Sequence, residues 1–156
     1  MSLKFTCESE KIKHLSHSRS IHAQPKTPLK DVLEKMRTEK SAIALIVDSH
    51  QKLVGVFTER DVLLKVLGKG LDLTQPIENF MTPKPFYLDG ENSVGEALEM
   101  MVKNKIRHIP IVDPKKNTVE GQVDVLNLVQ FLVEHFPYVY NLPPKPNQQL
   151  NLPEGA

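Results

Sequence analysis

Hydrophobic positions follow the same helical spacing in two separate parts of the chain. Apolar residues recur at i, i+3, i+4 and i+7, which places them on one face of a helix. This spacing occurs at Leu29, Val32, Leu33 and Met36, and again at Val94, Ala97, Leu98 and Met101. Ser93 and Glu96 predict a capping box at the start of the second helix. Thr27 and Pro28 predict an N-cap followed by proline at the first helical position.

Extended patterns follow each predicted helix. Short β-rich runs occur at Ile43–Val47 and Ile109–Val112, and each leads through a polar turn into a second predicted strand. The helical period then returns at Val62, Leu63, Val66 and Leu67, and at Val125, Leu128, Val129 and Leu132. Short strands are predicted near Ser20–Ala23 and Phe86–Leu88, ahead of the two helices. Each unit is therefore predicted to be β-α-β-β-α.

The two units are copies of one pattern. T-P-L-K-D-V-L-E-K-M (27–36) aligns with N-S-V-G-E-A-L-E-M-M (92–101), and A-L-I-V-D (44–48) aligns with I-P-I-V-D (109–113), both at an offset of 65 residues. A hairpin flanked by two helices is too small to close a core alone, so the copies must pack together. We predict a mixed α/β (α+β) fold in which two β-α-β-β-α repeats pack sheet to sheet with pseudo-two-fold symmetry.

Changes in composition divide the chain into five segments. We predict an N-terminal extension at 1–18, a first unit at 19–70, a linker at 71–82, a second unit at 83–136 and a proline-rich C-terminal tail at 137–156. The tail holds five of the twelve prolines. Such a composition is typical of an extended or disordered segment.

The overall composition argues against several classes of function. A formal net charge of +1 over 156 residues gives no general attraction to nucleic acids or anionic membranes. The longest apolar run, Ala42–Val47, is far below the roughly 20 residues of a membrane span, and the N-terminus lacks a signal-peptide core. Cys7 is the only cysteine, and His14, His17 and His22 lack further ligands for a metal site. We expect a cytoplasmic protein without metal, membrane or nucleic-acid binding and without a catalytic constellation.

Two strings of residues carry a family resemblance. S-V-G-E-A-L-E-M-M-V-K-N-K-I-R-H-I-P-I-V-D (93–113) and L-V-G-V-F-T-E-R-D-V-L (53–63) resemble a tandem pair of CBS (cystathionine β-synthase) domains, also called a Bateman module. The first string is similar to a nucleotide-site segment in the γ subunit of AMP-activated protein kinase. The resemblance covers roughly residues 19–136. It implies a disk-like, regulatory pair that binds adenosine compounds in clefts between its halves.

The resemblance also implies which residues bind the ligand. The family signature for adenosine is G-h-x-T/S-x-x-D/N, where h is apolar, and Gly55, Thr58 and Asp61 match it. An ionised aspartate offers acceptors to both hydroxyls of a ribose, and a hydroxyl at a helix N-terminus is placed to meet a phosphate. The glycine lets a backbone or a flat ring approach closely. Ile21 and Thr27 are expected as wall residues near the adenine.

The T-x-x-D spacing has a second interpretation. Thr58 as N-cap and Asp61 at the third helical position form a variant capping box, which stabilises a helix by about 1 kcal/mol without any ligand. The two roles are compatible, because one edge of the carboxylate can cap the helix while the other faces a ligand.

The second copy of the motif differs in its chemistry. Gly121 matches Gly55, but Asp124 replaces the threonine and Asn127 replaces the aspartate. Asp124 remains a good N-cap, yet it puts negative charge where a phosphate would approach, and Asn127 is a weaker partner for a diol. We therefore predict one intact nucleotide site and one degenerate site in each chain.

Arg107 and His108 precede the I-P-I-V strand of the second copy. By the geometry of the family, this segment reaches the phosphates of a nucleotide held by the other half. Arg107 would form a fork-shaped pair with a phosphate, and His108 would add a hydrogen bond. The equivalent residues of the first copy, Ala42 and Ile43, can do neither. A solvated arginine and a structural histidine are the alternative interpretations.

The leading functional hypothesis is a non-catalytic energy sensor that binds AMP, ADP or ATP as a regulatory ligand and responds by a change of conformation or assembly. S-adenosylmethionine is a rival ligand, although Arg107 favours a phosphate over a cationic sulfonium. A ligand-independent module for protein interaction or dimerisation is the alternative from a different class. The expected partners are a second copy in a homodimer and an unknown effector protein.

Overall fold

The computed structural model describes residues 3–136, with side chains from residue 6 onward, so the predicted proline-rich tail lies outside the described residues. The chain begins with helix α1, Leu3–Ser9, and a short 3₁₀ turn at Ile12–His14. The N-terminal extension therefore contains a helix that no periodic pattern in the sequence indicated.

The first unit has the predicted β-α-β-β-α order. Its elements are β1 (Ile21–Ala23), α2 (Leu29–Thr38), β2 (Ile43–Val47), β3 (Leu53–Thr58) and α3 (Glu59–Asp61), which continues as a π-helical turn at Val62–Val66. Strand β1 lies parallel to β2, and β2 lies antiparallel to β3. The parallel pair is joined by α2, because a parallel connection has to cross from one end of the sheet to the other.

The linker contributes two elements that the sequence did not predict. A 3₁₀ turn occupies Ile77–Asn79, and a two-residue strand, β4 (Thr82–Pro83), follows it. Strand β4 does not join the unit that it precedes. It pairs antiparallel with β3 of the first unit, with Gly55 opposite Pro83 and Val56 opposite Thr82.

The second unit follows the element order of the first, but its first strand is reduced and its last helix is α-helical throughout. It consists of α4 (Val94–Asn104), β5 (His108–Asp113), β6 (Thr118–Asp124) and α5 (Val125–His135). The strand predicted near Phe86–Leu88 is reduced to a single parallel bridge between Leu88 and Ile111. Pro85 precedes this segment and lacks the N–H that a strand would use, and Phe86 and Tyr87 remain exposed.

The segments ahead of the two units are exchanged between them. The backbone N–H of Ser18, ahead of the first unit, donates to the carbonyl of Gln122 in β6 of the second unit at 3.3 Å. Strand β4, ahead of the second unit, borders β3 of the first unit. Each hairpin is therefore extended by the segment that leads into the other half.

Each half has its own hydrophobic core. In the first half the core lies between the sheet and α2, and it includes Ile21, Leu29, Val32, Phe57 and Ile77. In the second half it includes Ile12, Val94, Ile109, Val123 and Leu128. These side chains are almost completely buried, and burial of each one contributes about 1.5–3 kcal/mol relative to exposure. The mixed α/β fold of two β-α-β-β-α units is thus as predicted.

Of the caps predicted for α2 and α4, that of α4 is present as expected. Ser93 and Glu96 form the capping box of α4, with the Ser93 side chain accepting from the N–H of Glu96 at 3.1 Å. The prediction for Thr27 was wrong, because the N-cap of α2 is Pro28 and the Thr27 hydroxyl accepts from the N–H of Gln24. The first amides of α2 instead donate to the linker carbonyls of Gln75 and Leu73, at 2.8 and 2.9 Å.

Within the described range of 3–136, no helix is long and apolar enough to cross a membrane.

Candidate functional site

The intact motif lies where β3 ends and α3 begins. Thr58 closes β3 opposite Ile43, and the N–H of Glu59 donates to the carbonyl of Ala42 at 3.1 Å. The Thr58 side chain accepts from the N–H of Asp61, while one oxygen of Asp61, Oδ2, accepts from the N–H and from the hydroxyl of Thr58, at 2.9 and 2.8 Å. The capping box predicted from the T-x-x-D spacing is therefore present.

The second oxygen of Asp61 faces the linker. Oδ1 lies 2.7 Å from the ammonium of Lys65, and the hydroxyl of Thr82 donates to it at 3.5 Å. The Asp61 side chain is only 12% exposed. Burial alone would raise the pKa of its carboxyl, but the hydrogen bonds from Lys65 and Thr58 outweigh burial and hold that pKa below its usual range. The carboxylate is therefore ionised at neutral pH.

Lys65 connects this carboxylate to the linker. Its Nζ also donates to the carbonyl of Phe80 at 2.8 Å and to the hydroxyl of Thr82 at 3.4 Å. Lys65 lies on the π-helical turn Val62–Val66, a local geometry that is frequent at functional sites. The (i, i+4) spacing of Asp61 and Lys65 is visible in the sequence, but we did not predict a role for the lysine.

The glycine of the motif makes room for the linker. A Cβ atom on Gly55 would lie 2.3 Å from Sδ of Met81 and 3.0 Å from its Cγ. The side chain of Met81 therefore crosses the face of β3 where a side chain at residue 55 would stand. The close approach that we attributed to a ligand is made, in this structure, by a residue of the protein itself.

We expect Gly55→Ala to lower the free energy of unfolding by about 1 kcal/mol, near the lower end for overpacking, because the flexible thioether of Met81 can move aside. Urea unfolding of the single variants and of the double variant Gly55→Ala/Met81→Ala would measure this. Gly121→Ala is the matched control, since its Cβ would stand 3.4 Å from the nearest atom, Nδ1 of His17. If Gly55→Ala lowers the free energy of unfolding equally in the wild-type and Met81→Ala backgrounds, the contact with Met81 is not the cause of the loss.

The second copy of the motif is also a complete capping box. One carboxylate oxygen of Asp124 accepts from the N–H groups of Leu126 and Asn127, at 2.8 and 3.1 Å, and the side-chain oxygen of Asn127 accepts from the N–H of Asp124 at 2.8 Å. The hydroxyl of Ser18 also donates to that Asn127 oxygen, at 3.1 Å. Capping is therefore fulfilled in both copies and does not distinguish them. The difference is the ionised carboxylate, which the first copy has at Asp61 and the second lacks at Asn127.

Arg107 and His108 lie beside the second copy. The carbonyl of Arg107 accepts from the N–H of Val125 at 3.1 Å, and His108 pairs with Asp124 across the hairpin. Among residues 6–136, no hydrogen bond or ion pair joins either side chain to Asp61. The structure thus brings the basic pair next to the degenerate motif of its own half.

A buried glutamine anchors His108. Gln122 is 1% exposed, its Oε1 lies 3.1 Å from Nδ1 of His108, and its Nε2 donates to the carbonyl of Arg19 at 3.0 Å. The same carbonyl accepts from the hydroxyl of Ser41 at 3.2 Å. Gln122 therefore connects the second hairpin to the segment that enters the first unit. The sequence signal that could have identified Gln122 is its place at the apolar position h of the repeated motif, which Val56 occupies in the first copy.

The two predicted wall residues are separated in the structure. Ile21 is buried in the core of the first half, opposite Ala44. Thr27 lines a different cavity, of about 380 Å³, whose other lining residues include Val47 and Lys35. Val47 ends β2, whereas Thr58 pairs with the residue that begins it. Thr27 and Thr58 therefore lie near opposite ends of β2, which is about 13 Å long.

Side chains that bind metals are not clustered in the described part of the chain. Between residues 6 and 136, no group of three or more His, Cys, Asp or Glu side chains has a geometry that could hold a metal ion. His14 instead contacts Glu10 at 2.6 Å, and the hydrogen bond from His14 is the main cause of a lowered pKa of Glu10.

Known proteins with the same fold carry ligands. The chain is 31% identical over 103 residues to the CBS domain-containing protein CBSCBSPB5 of Arabidopsis thaliana; the match covers 65% of this chain but only 19% of the plant protein. The structure of CBSX2 in complex with AMP superimposes with a TM-score of 0.70 at 19% identity, covering 81% of this chain and 98% of that one. The CBS domain pair of MJ0100 in complex with 5′-methylthioadenosine and S-adenosyl-L-methionine gives 0.70 at 22% identity, covering 80% and 97%.

The family model for the CBS domain matches the chain twice, at residues 12–68 and 77–134. The two matches correspond to the two β-α-β-β-α units, and each includes one copy of the G-h-x-T-x-x-D pattern, intact at Gly55–Asp61 and altered at Gly121–Asn127. The chain matches only about a fifth of the length of these plant relatives. The chain belongs to the CBS domain family, as a tandem pair of CBS domains.

Proposed function

We propose that this CBS pair is a regulatory, non-catalytic module that binds an adenine nucleotide at the Asp61 cleft. The observation that carries the proposal is a shielded, ionised carboxylate at the end of the G-h-x-T-x-x-D motif, because a ribose diol requires such an acceptor. The AMP complex of CBSX2 and the S-adenosylmethionine complex of MJ0100 support an adenosine-type ligand.

Within this proposal the first copy of the motif holds the sugar. Asp61 accepts from the ribose hydroxyls, and Thr58, which donates its hydroxyl hydrogen to Oδ2 of Asp61, holds the carboxylate in position for them. This pair is in line with the nucleotide-site motifs of the γ subunit of AMP-activated protein kinase. Arg107 and His108 supply positive charge and a hydrogen bond to the phosphate from the second half. Gly121, Asp124 and Asn127 form the degenerate site, which lacks the ionised acceptor at its third position.

AMP, ADP and ATP are favoured over S-adenosylmethionine. A nucleotide phosphate pairs with a guanidinium in a fork geometry that a sulfonium cannot offer, and a sulfonium would be repelled by Arg107. The ammonium of Lys65, 2.7 Å from Oδ1 of Asp61, adds a cation beside the proposed ribose acceptor. The module would therefore respond to the energy state of the cell through the phosphates of its ligand.

The alternative, a ligand-independent interaction module, is favoured by a different observation. The helices that follow the two motifs expose large apolar side chains, namely Leu63, Leu64, Leu67, Leu126 and Val129. Such a face suits a two-fold interface in which the same surface of a second copy is buried. A homodimer through these helices is compatible with nucleotide binding, and it provides the assembly through which a signal passes to an effector protein.

Thermal unfolding in the presence of AMP, ATP and S-adenosylmethionine tests the proposed function. We expect AMP and ATP to stabilise the wild-type protein, by about 2.7 kcal/mol when the ligand is at 100 times its dissociation constant. Asp61→Ala should abolish this stabilisation, because the acceptor for the ribose is lost. Asn127→Ala should keep it. The two variants are matched, since each removes the third-position side chain of a capping box.

The outcome separates the two functions. Absence of any shift with all three ligands, in a protein that is folded by circular dichroism, would favour the interaction module. Equal loss of the shift in both variants would show that the effect of Asp61 is only helix capping. Arg107→Ala should weaken the binding of AMP more than the binding of adenosine. Equal weakening of both would show that Arg107 does not contact the phosphate.

A further inference from the structure

We propose that Lys65 determines the specificity of the Asp61 cleft by occupying the carboxylate oxygen that a ribose diol needs, so that ligand binding requires release of its ammonium. This inference rests on the proposed function, because it assumes that an adenosine compound binds at Asp61. Lys65 lies outside the G-h-x-T-x-x-D pattern, so the proposal assigns the site a further residue. It also predicts that ligand binding at Asp61 changes the contacts of Lys65 with the linker.

The acceptor sites of Asp61 are already filled by the protein. A carboxylate has about four lone-pair positions, two on each oxygen. Oδ2 accepts from the N–H and the hydroxyl of Thr58, at 2.9 and 2.8 Å. Oδ1 lies 2.7 Å from the ammonium of Lys65 and 3.5 Å from the hydroxyl of Thr82. A diol that donates two hydrogen bonds to Oδ1 therefore has to displace Lys65, and also the weaker contact from Thr82.

The exposure of the two charges makes such a displacement possible. The Lys65 side chain is 38% exposed, whereas that of Asp61 is 12% exposed. The ammonium can therefore leave the carboxylate and become hydrated, while the carboxylate stays in place, held by the capping box. The ribose hydroxyls would then replace Lys65 as donors to the shielded anion, which avoids the cost of a buried carboxylate without partners.

The identity of the ligand decides how costly the release is. A neutral adenosine offers the displaced ammonium no anionic partner. Its binding free energy is therefore reduced by the cost of breaking the ion pair between Lys65 and Asp61. A nucleotide phosphate gives the ammonium a new charge-assisted hydrogen bond, and a sulfonium would repel it. Lys65 thus penalises nucleosides and cationic adenosine compounds relative to nucleotides.

The linker is bound by the same ammonium. Lys65 donates to the carbonyl of Phe80 and to the hydroxyl of Thr82 in β4, at 2.8 and 3.4 Å. Release of Lys65 would free both groups, and β4 leads directly into the second unit. The second copy has no such device, because the residue four positions after Asn127 is Phe131, which is buried in the core. Only ligand binding at Asp61, and not at Asn127, would therefore release a lysine from the linker.

Titration calorimetry of the full chain with adenosine and with AMP tests the inference. Lys65→Met removes the ammonium and keeps the length of the side chain. We expect adenosine to bind this variant roughly tenfold more tightly than the wild type, the equivalent of one charge-assisted hydrogen bond. The preference for AMP over adenosine should fall by a similar factor. A lysine with only a structural role would not raise the affinity for a ligand when it is removed.

Two further variants keep the result interpretable. Lys69→Met removes an exposed lysine four residues further on and should leave both affinities unchanged. Lys65→Gln keeps a polar donor and serves if Lys65→Met unfolds, which circular dichroism would show. If the wild type binds AMP but neither Lys65 variant binds adenosine more tightly, the role of Lys65 is refuted and the proposed function stands. If neither the wild type nor the Lys65 variants bind adenosine or AMP, both the proposed function and the role of Lys65 are refuted.

Discussion

Replacing Phe57 with alanine is expected to lower the free energy of unfolding by about 3–5 kcal/mol, the usual range for a fully buried phenylalanine. Phe57 has no exposed surface and is among the largest fully buried side chains. It lies opposite Ala44 in the sheet and packs in the core of the first half. A loss of this size approaches the total stability of many domains, so partial unfolding at room temperature is the expected outcome.

Urea unfolding followed by circular dichroism would measure the effect. Val123→Ala is the matched control, because Val123 occupies the equivalent position in β6 and is equally buried. It should lower the free energy of unfolding less than Phe57→Ala, because removal of the smaller side chain leaves a smaller cavity. Phe57 also directly precedes Thr58, so the Phe57→Ala variant should lose ligand-induced stabilisation in addition to global stability. A cost below about 1 kcal/mol would mean that the first core collapses around the missing ring.

The second large effect is expected at Gln122. Gln122→Leu keeps the approximate volume of the side chain but removes its hydrogen bonds to His108 and to the carbonyl of Arg19. A buried polar group left without its partner costs about 1–3 kcal/mol. The carbonyl of Arg19 retains the hydroxyl of Ser41, so the main group that loses its partner in the variant is Nδ1 of His108. Because His108 is only partly buried, we expect a cost near the lower end of this range.

A double-mutant cycle with His108→Ala would identify the origin of the loss. If the hydrogen bond between the two side chains carries the effect, the cost of Gln122→Leu should be much smaller in the His108→Ala background. Strict additivity of the two substitutions would contradict this account. We also expect Gln122→Leu to weaken AMP binding, since His108 would no longer be held in one orientation beside β6.

The repeating elements of the fold could be predicted because they depend on local patterns. The helix faces of α2 and α4 repeat every 3.6 residues, and the two hairpins begin with short β-rich runs that lead into polar turns, so local pattern located both. The capping boxes at Ser93, Thr58 and Asp124 likewise involve residues only three positions apart. Interactions of this range are fully contained in a short window of sequence.

The exceptions depend on contacts between distant segments. The cap of α2 uses the carbonyls of Leu73 and Gln75, about 45 residues away, so the motif of Thr27 and Pro28 did not reveal it. Strand β4 has two residues and no hydrophobic period, and its partner is on the other unit. The strand expected near Phe86–Leu88 was limited by proline to one bridge.

The candidate site was predictable in its residue types but not in its contacts. The sequence identified Thr58 and Asp61 as a pair, and their hydrogen bonds are present. It did not indicate that Met81 would cross the face of Gly55 or that Lys65 would hold the free oxygen of Asp61. Met81 belongs to the linker, and Lys65 contacts the linker at Phe80 and Thr82. The path of the linker follows from tertiary packing, so no local pattern in the sequence indicated these contacts.

Because the border segments are exchanged, each half depends on the other to complete the edge of its hairpin. A break in the chain near Gly70 would leave the first hairpin without the strand supplied from residues 82–83, and the second without the contact supplied by Ser18. Each fragment would then present an unpaired edge whose natural complement is located on the other fragment. We therefore expect the separated halves to be less stable than the intact polypeptide, because each loses backbone hydrogen bonds that only the other half supplies.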